Sequence, residues 1–208
     1  QDLLSSLLSL SVSRHARKSI DVLLQRMTVY NHMIEDGFLH QILALAGRLP
    51  IKLEVTGLEV LDQSNQHEVQ ATTSTEFFTH VLDRIGPNKV AALLTKDLLG
   101  RLPLHYAALY GFTAICEIVL QTCGSWSADL CARSIVMEDN KRYTPLHYAV
   151  ISNHVAIAKL FASTLEARHR RSKPADSREV AGIIKDLLCI ALRYQYDEMV
   201  AVLATCHI

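Results

Sequence analysis

Apolar residues recur at intervals of three and four along much of the chain, which is typical of helices that bury one face. The pattern runs from Ile20 to Leu49 and again from Phe77 to Leu94, where Gly86-Pro87 predicts a break between two helices. Residues 62–76, between these stretches, are almost entirely polar. We therefore expect a helical cap region over residues 1–61, a polar loop over residues 62–76, and further helices over residues 77–208.

The second half of the chain contains an internal repeat. Residues 97–111 return in altered form as residues 139–153, and the shared sequence Pro-Leu-His-Tyr-Ala begins at Pro103 and again 42 residues later at Pro145. The same step taken once more lands on Ala191, inside another apolar segment. The sequence thus predicts clear repeats near residues 97–123 and 139–165, and a degenerate repeat near residues 183–206.

This repeat resembles the ankyrin-repeat family, in which the same kind of sequence lies where a loop becomes the first of two short helices. Because one such repeat cannot bury its own apolar faces, neighbouring repeats stack on one another. The resemblance implies an all-α fold, in which residues 77–208 form an ankyrin-type helical repeat solenoid with atypical helical caps. The family period is about 33 residues, so the longer step in this chain predicts long inter-repeat insertions, at residues 124–138 and 166–179.

His105 and His147 occupy the same position of the two clear repeats. Two histidines could suggest a metal site, but no residue close in sequence supplies the further ligands that zinc needs. In ankyrin-like repeats this histidine hydrogen-bonds the backbone of the connecting turn, so the resemblance implies a structural role for both. Thr144 can cap the helix of the second repeat, whereas Leu102 offers no capping oxygen in the first.

The connecting turns and the exposed side of the first helix form the face through which ankyrin-like proteins bind partners. Carried over to this chain, the resemblance implies partner contacts in two turns and at the ends of two helices. The residues are Leu98, Leu99, Arg101, Leu109, Tyr110, Asn140, Lys141, Tyr143, Ile151 and Ser152. Aromatic, aliphatic and arginine side chains of this kind can anchor an interface. The alternative for Leu98, Leu99 and Leu109 is that they pack against the insertions.

Composition and charge narrow the function classes. The chain holds 21 Lys+Arg and 21 Asp+Glu residues, so no net charge draws it to nucleic acid. It lacks a glycine-rich phosphate loop and a nucleophile elbow, which argues against an enzyme, and we expect neither a metal nor a cofactor. No segment reaches the roughly 18 consecutive apolar residues of a membrane span. The five cysteines show no paired spacing, so we interpret them mainly as buried thiols in a reducing compartment.

One concentrated charge feature is the basic run from Arg168 to Lys173. Its simplest interpretation is a solvated linker that continues as a loop from Pro174. Alternatively, Arg168, Arg170 and Arg171 bind an anion or an acidic partner, or the run acts as a nuclear-import signal.

The segment from Asp97 to Gly111, followed by a long insertion and a second copy from Asp139, is similar to the ankyrin region of fungal SPX–ankyrin–glycerophosphodiesterase-like proteins. That group includes phosphate-pathway inhibitors of cyclin-dependent kinases and glycerophosphocholine phosphodiesterases. The resemblance implies a protein-interaction module, cytoplasmic with the nucleus as a second compartment, that inhibits a cyclin–cyclin-dependent kinase complex. The alternative is a scaffolding or phosphate-ligand-sensing segment of a glycerophosphodiester phosphodiesterase, with inositol polyphosphate acting through the parent protein.

Overall fold

The structure is a computed structural model, and it describes residues 39–40, 42–44, 75–76, 78–83, 85–170 and 174–206, with the backbone alone for residues 174–179. Nearly all of residues 1–61 and 62–76 lie outside the described residues, so the expected cap region and polar loop stay predictions. The described ranges contain helices and turns and no strand, which confirms the all-α fold class.

The chain divides into two compact units, residues 1–95 and residues 96–208. In the first unit, residues 78–83 are helical, a short 3-10 helix spans Gly86–Asn88, and helix α1 spans Lys89–Leu94. Gly86 has a φ of 66°, a left-handed value that glycine adopts readily. The predicted break at this glycine is therefore confirmed.

The second unit consists, over its described residues, of helices that pack in consecutive pairs. Their bounds are Pro103–Leu109 for α2, Thr113–Trp126 for α3, Ala128–Val136 for α4, Pro145–Ile151 for α5, Val155–His169 for α6, Pro174–Arg193 for α7 and Asp197–Ala204 for α8. The pairs are α2 with α3, α5 with α6, and α7 with α8. Helix α2 also packs against α5, and α6 against α8, so the pairs are stacked on one another.

The backbone turn between the two helices of a pair repeats at the step seen in the sequence. Gly111, Asn153 and Gln195 all have left-handed φ values, of 77°, 55° and 59°. After each of them an N–H donates to a carbonyl of the helix just ended, and these bonds run from Phe112 to Ala107 at 2.9 Å, from His154 to Ala149 at 2.8 Å and from Tyr196 to Ala191 at 3.0 Å. Such bonds end a helix by satisfying its last carbonyls. The third pair thus turns as the first two do, although its sequence lacks the Thr-Pro start.

The starts of α2 and α5 follow from their prolines. Pro103 and Pro145 are the first residues of these helices, where a missing N–H leaves no bond unmade. Thr144 Oγ1 accepts the N–H of His147 at 3.3 Å and therefore caps α5 as expected. Helix α2 has no side-chain oxygen at this position, and its His105 N–H donates instead to the Leu102 carbonyl at 3.0 Å.

Both insertions are largely helical. Ser127 Oγ accepts the N–H of Asp129 at 3.2 Å and caps α4, which fills most of residues 124–138. In the second insertion α6 continues to His169 and α7 begins at Pro174. The interpretation of this stretch as a loop continuing from Pro174 is therefore wrong, because a proline also suits the first turn of a helix.

The core of the second unit lies between the helix pairs. Ala107, Ala108 and Ala149 are fully buried, and their small side chains allow the helices to approach closely. Larger residues such as Leu104 and Ile157 are also fully buried, and burying an aliphatic side chain of this size contributes about 1.5–3 kcal/mol. Stacking of the pairs is therefore the main source of stability.

Cys116, Cys123 and Cys131 are buried, as expected, whereas Cys189 is exposed. Cys189 is the exception among mainly buried thiols, because it lies on α7 at the position equivalent to His147 and no described helix pair follows to cover it. Among the described residues, no helix is both long enough and apolar enough to cross a membrane.

Candidate protein-interaction surface

Two turns of the same design precede α2 and α5, and we call residues 97–102 the first finger and residues 139–144 the second finger. Asp97 Oδ1 accepts the N–H groups of Leu99 and Arg101 at 2.9 and 2.8 Å. The second finger repeats this turn, since Asp139 Oδ1 accepts the N–H groups of Lys141 and Tyr143 at 2.8 and 2.9 Å. A left-handed residue completes each turn, Gly100 at 74° and Arg142 at 63°. The backbone of both fingers is therefore fixed by local hydrogen bonds.

Each finger is also tied to the helix that follows it. The Tyr106 hydroxyl donates to Asp97 Oδ2 at 2.7 Å, and the Tyr148 hydroxyl donates to Asp139 Oδ2 at 2.8 Å. The aspartate of each finger thus bonds both its own turn and its own helix.

His105 connects the first repeat to the second finger. Leu102 N–H donates to its Nδ1 at 2.9 Å, so the proton of the neutral ring lies on Nε2, which donates to the Tyr143 carbonyl at 3.2 Å. Burial, only partly offset by the bond to Tyr143, lowers the pKa of His105 to about 4. The neutral, buried ring makes the backbone bond that the family resemblance implied.

Further bonds join the two fingers directly. Asn140 donates its N–H to the Leu99 carbonyl at 3.0 Å and its side-chain Nδ2 to the Leu98 carbonyl at 3.1 Å. Lys96 Nζ donates to the Glu138 carbonyl at 2.8 Å. A Cβ on Gly100 would overlap the Asn140 side chain, which explains why glycine occupies this position. The two fingers therefore form one hydrogen-bonded unit.

Arg101 supplies the charged link between the fingers. Its Nε lies 3.4 Å from Asp139 Oδ2, and its guanidinium stands over the rings of Tyr106 and Tyr148, 5.4 and 5.0 Å from their centroids. Burial by itself raises the pKa of Asp139, but donation from the Tyr143 N–H, the Tyr148 hydroxyl and the other donors outweighs it and lowers that pKa below its ordinary value. Asp139 is therefore an ionised, nearly buried acceptor at the centre of the two-finger unit.

The residues implied as partner contacts differ in how much of their surface is exposed to solvent. Leu98 is 99% exposed, Leu99 49%, Tyr143 38% and Ile151 37%. Because Leu98 is almost fully exposed, it does not pack against an insertion, and that alternative is wrong for this leucine. Asn140, Lys141 and Ser152 all lie in the second repeat, the first two exposed and the last half-buried.

The other implied contacts are less accessible. Leu109 and Tyr110, at the end of α2, are half-buried, and the Leu109 carbonyl accepts from His154 Nε2 at 3.2 Å. Arg101 is half-buried and engaged by Asp139 and the two tyrosine rings. Because Asp139 and Tyr148 are far from Arg101 in the sequence, the sequence pattern did not reveal these internal contacts.

The described part of the basic run belongs to the second insertion. Arg168 Nη2 bonds Asp129 Oδ1 at 2.8 Å, and its side chain is 15% exposed, so an anion at this residue would have to replace a carboxylate. Arg170 is exposed, and Arg171 lies outside the described residues. The structure thus uses Arg168 to join α6 to α4.

Comparison with known proteins agrees with the repeat geometry. Residues 73–171 match the family described as "Ankyrin repeats (3 copies)". These residues are ankyrin repeats. A stretch of 100 residues, 46% of the chain, is 32% identical to the glycerophosphocholine phosphodiesterase GDE1 of Eremothecium gossypii. The matched stretch covers 8% of that relative's own length.

An ankyrin array is a non-enzymatic module that binds other proteins, so these residues serve protein–protein interaction. Within the described ranges, no group of His, Cys, Asp and Glu side chains is arranged to hold a metal ion. The surface of interest is therefore the pair of fingers and the helix ends beside them.

Proposed function

We propose that the ankyrin repeats are the protein-binding segment of a larger fungal protein related to glycerophosphodiester phosphodiesterases, and that the finger tips contact the partner. The observation that carries the proposal is Leu98, a leucine that is 99% exposed on a turn fixed by hydrogen bonds. An apolar side chain held out by a rigid turn loses little conformational freedom when a partner covers it.

The neighbouring side chains extend this contact. Leu99, Tyr143 and Ile151 expose between 37% and 49% of their surface, and the exposed Lys141 and Arg142 lie at the tip of the second finger. An apolar centre with a polar rim is the usual anatomy of a specific protein interface.

The identity to the phosphodiesterase of Eremothecium gossypii supports the phosphodiesterase context. In that context the array scaffolds or regulates by holding another protein, or another part of its own polypeptide, and it takes no part in the hydrolysis. If the array instead belongs to a kinase inhibitor, its partner is a cyclin–cyclin-dependent kinase pair. Identifying the bound partner therefore distinguishes the two functions.

Affinity capture from fungal lysate, with quantitative mass spectrometry of the retained proteins, tests the proposal. The immobilised wild-type chain is compared with Leu98→Ser/Leu99→Ser and with Leu192→Ser as a matched control. Leu192 lies on α7, outside both fingers, and is 60% exposed. Its substitution therefore removes exposed apolar surface without changing either finger.

We expect one set of proteins to be retained by the wild type and by Leu192→Ser, and to be lost from the finger variant. A phosphodiesterase polypeptide in that set supports the proposed context, and a cyclin–kinase pair supports the inhibitor. Equal retention by all three chains would place the binding surface elsewhere and overturn the role of the finger tips.

A further inference from the structure

The way in which the second finger lies on the first defines a set of contacts that any next finger would repeat. The first finger offers two acceptors, the carbonyls of Leu98 and Leu99, and Asn140 supplies both donors. The first repeat also offers one donor, His105 Nε2, and Tyr143 supplies the carbonyl that accepts it. An asparagine and a carbonyl three residues later are thus the groups that seat a finger.

The outer edge of the second finger presents the same three groups. The equivalents of the two acceptors are the carbonyls of Asn140 and Lys141, and the equivalent of the donor is His147 Nε2. His147 Nδ1 accepts from the Thr144 N–H at 3.2 Å, so the neutral ring carries its proton on Nε2. Over the part of the chain that the structure describes, no hydrogen bond reaches these two carbonyls or this nitrogen.

No third finger lies on this edge, because the equivalent residues belong to helix α7 and form no finger turn. The positions equivalent to the second finger fall within Pro174–Arg193, a continuous helix without the aspartate turn. His147 is 9% exposed where His105 is 1% exposed, so its side chain is somewhat less covered than that of His105. The array therefore ends on a finger whose binding groups for a further finger are unused.

We propose that this edge, the Asn140 and Lys141 carbonyls with His147 Nε2, binds an exposed turn of a partner protein that takes the place of a third finger. The turn carries an asparagine whose N–H and side-chain amide donate to the two carbonyls, and a carbonyl three residues later that accepts from His147. Main-chain recognition of this kind resembles the addition of a strand to an open sheet edge.

Charge defines the flanking residues of that turn. Lys141 and Arg142 are exposed at the tip of the second finger, whereas Glu138 and Asp186 lie near His147 at its base. The partner turn is therefore acidic at its tip and not at its base. This inference rests on the proposed protein-binding function and adds a second contact area beside the finger tips.

A cyclic peptide with the sequence of residues 137–145, in which the two basic residues are replaced by glutamate, is the probe. It retains the asparagine and the later carbonyl and complements the charge of the tip. Titration into the isotope-labelled full chain, followed by NMR, is expected to shift the amides of Lys141 and Arg142 and the Nε2 resonance of His147. Replacing the peptide asparagine by alanine removes one donor, and we expect about tenfold weaker binding.

The chain variants separate this inference from the finger-tip proposal. Leu98→Ser/Leu99→Ser is expected to bind the peptide as the wild type does, while Lys141→Glu/Arg142→Glu binds it several-fold more weakly. Absence of shifts at millimolar peptide, shifts centred on Leu98 and Tyr110, or equal affinity of the alanine peptide would each overturn the inference. Loss of partner capture in the tip variant remains a separate result, so the two proposals can fail independently.

Discussion

The free energy of unfolding should respond strongly to Asp139→Asn, because this carboxylate joins two repeats. Oδ1 accepts two N–H groups of the second finger, and Oδ2 accepts the Tyr148 hydroxyl and Arg101 Nε. An asparagine keeps one oxygen for the turn but presents an NH2 group to the other donors. The Tyr148 hydroxyl can rotate and accept from that group, whereas arginine has no acceptor.

The expected loss of stability is set by the bond from Arg101 Nε to Asp139, because arginine cannot accept a hydrogen bond from the new amide. A hydrogen bond to a charged group contributes about 1.5–3 kcal/mol, and a buried donor left without a partner adds a desolvation cost. Since the side chains of Arg101 and Asp139 are 16% and 1% exposed, water replaces this bond poorly. We expect Asp139→Asn to lower the free energy of unfolding by about 3 kcal/mol.

Asp97→Asn is the matched control. Its carboxylate makes the same turn bonds and the same tyrosine bond without the contact to Arg101 Nε. We expect a loss of about 1 kcal/mol for this variant, in the range of a single net hydrogen bond. Urea unfolding followed by circular dichroism measures both values. Equal losses in the two variants would refute the role assigned to the charged link between the fingers.

Three further predictions follow from local geometry. Burial lowers the pKa of His105 to about 4 from 6.5, so the unfolded chain binds this proton at a higher pH than the folded chain does. The free energy of unfolding, full above pH 6.5, should therefore fall by about 2–3 kcal/mol between pH 7 and pH 4.5. Urea titrations that gave the same free energy at the two pH values would contradict this. Gly111→Ala should lower the free energy of unfolding by at least about 1 kcal/mol, because φ is 77° and the new Cβ would lie 2.7 Å from His154 Cε1. Gln195→Gly is the contrasting change: since φ of Gln195 is 59°, glycine should leave the melting temperature unchanged or raise it. Thr144→Ala should cost about 1 kcal/mol through loss of the α5 cap, and an unchanged urea midpoint would show that the His147 N–H finds another acceptor.

The sequence predicted the helix pairs because their signals are local. Pro103 and Pro145 mark two helix starts, and the apolar period continues through the helices that follow. Gln195, which is not a typical left-handed residue, lies one repeat step after Asn153 and has the same left-handed conformation. These signals need no knowledge of which segments meet in space.

The insertions were predicted in position but not in conformation. Ser127 with Asp129 two residues later is an ordinary start of a helix, and Pro174 is another, so both helices have a local start signal in the sequence. The pairing of Arg168 with Asp129 joins two insertions that are 39 positions apart and could not be inferred from composition. The basic run is therefore in part a structural link.

On the candidate surface, too, features set by nearby residues could be predicted from the sequence, whereas contacts between distant residues could not. Exposure of Leu98 follows from its place at the tip of a turn, which the resemblance supplied. The use of Arg101 inside the two-finger unit depends on Asp139 and Tyr148, which come from the next repeat. A sequence pattern assigns both residues to the same finger and cannot distinguish the one that faces solvent.

The two fingers share a backbone and differ in the side chains that they expose. The turn bonds involve main-chain N–H groups, the aspartate and the following tyrosine, all of which are present in both fingers. Equivalent positions hold Leu98 in one finger and Asn140 in the other, without any change of turn. Because the fold does not depend on the side chain of Leu98, its full exposure has no compensating role within the described residues. A substitution at Leu98 should therefore change what the array binds, while a substitution at Asp139 should change whether the array holds together.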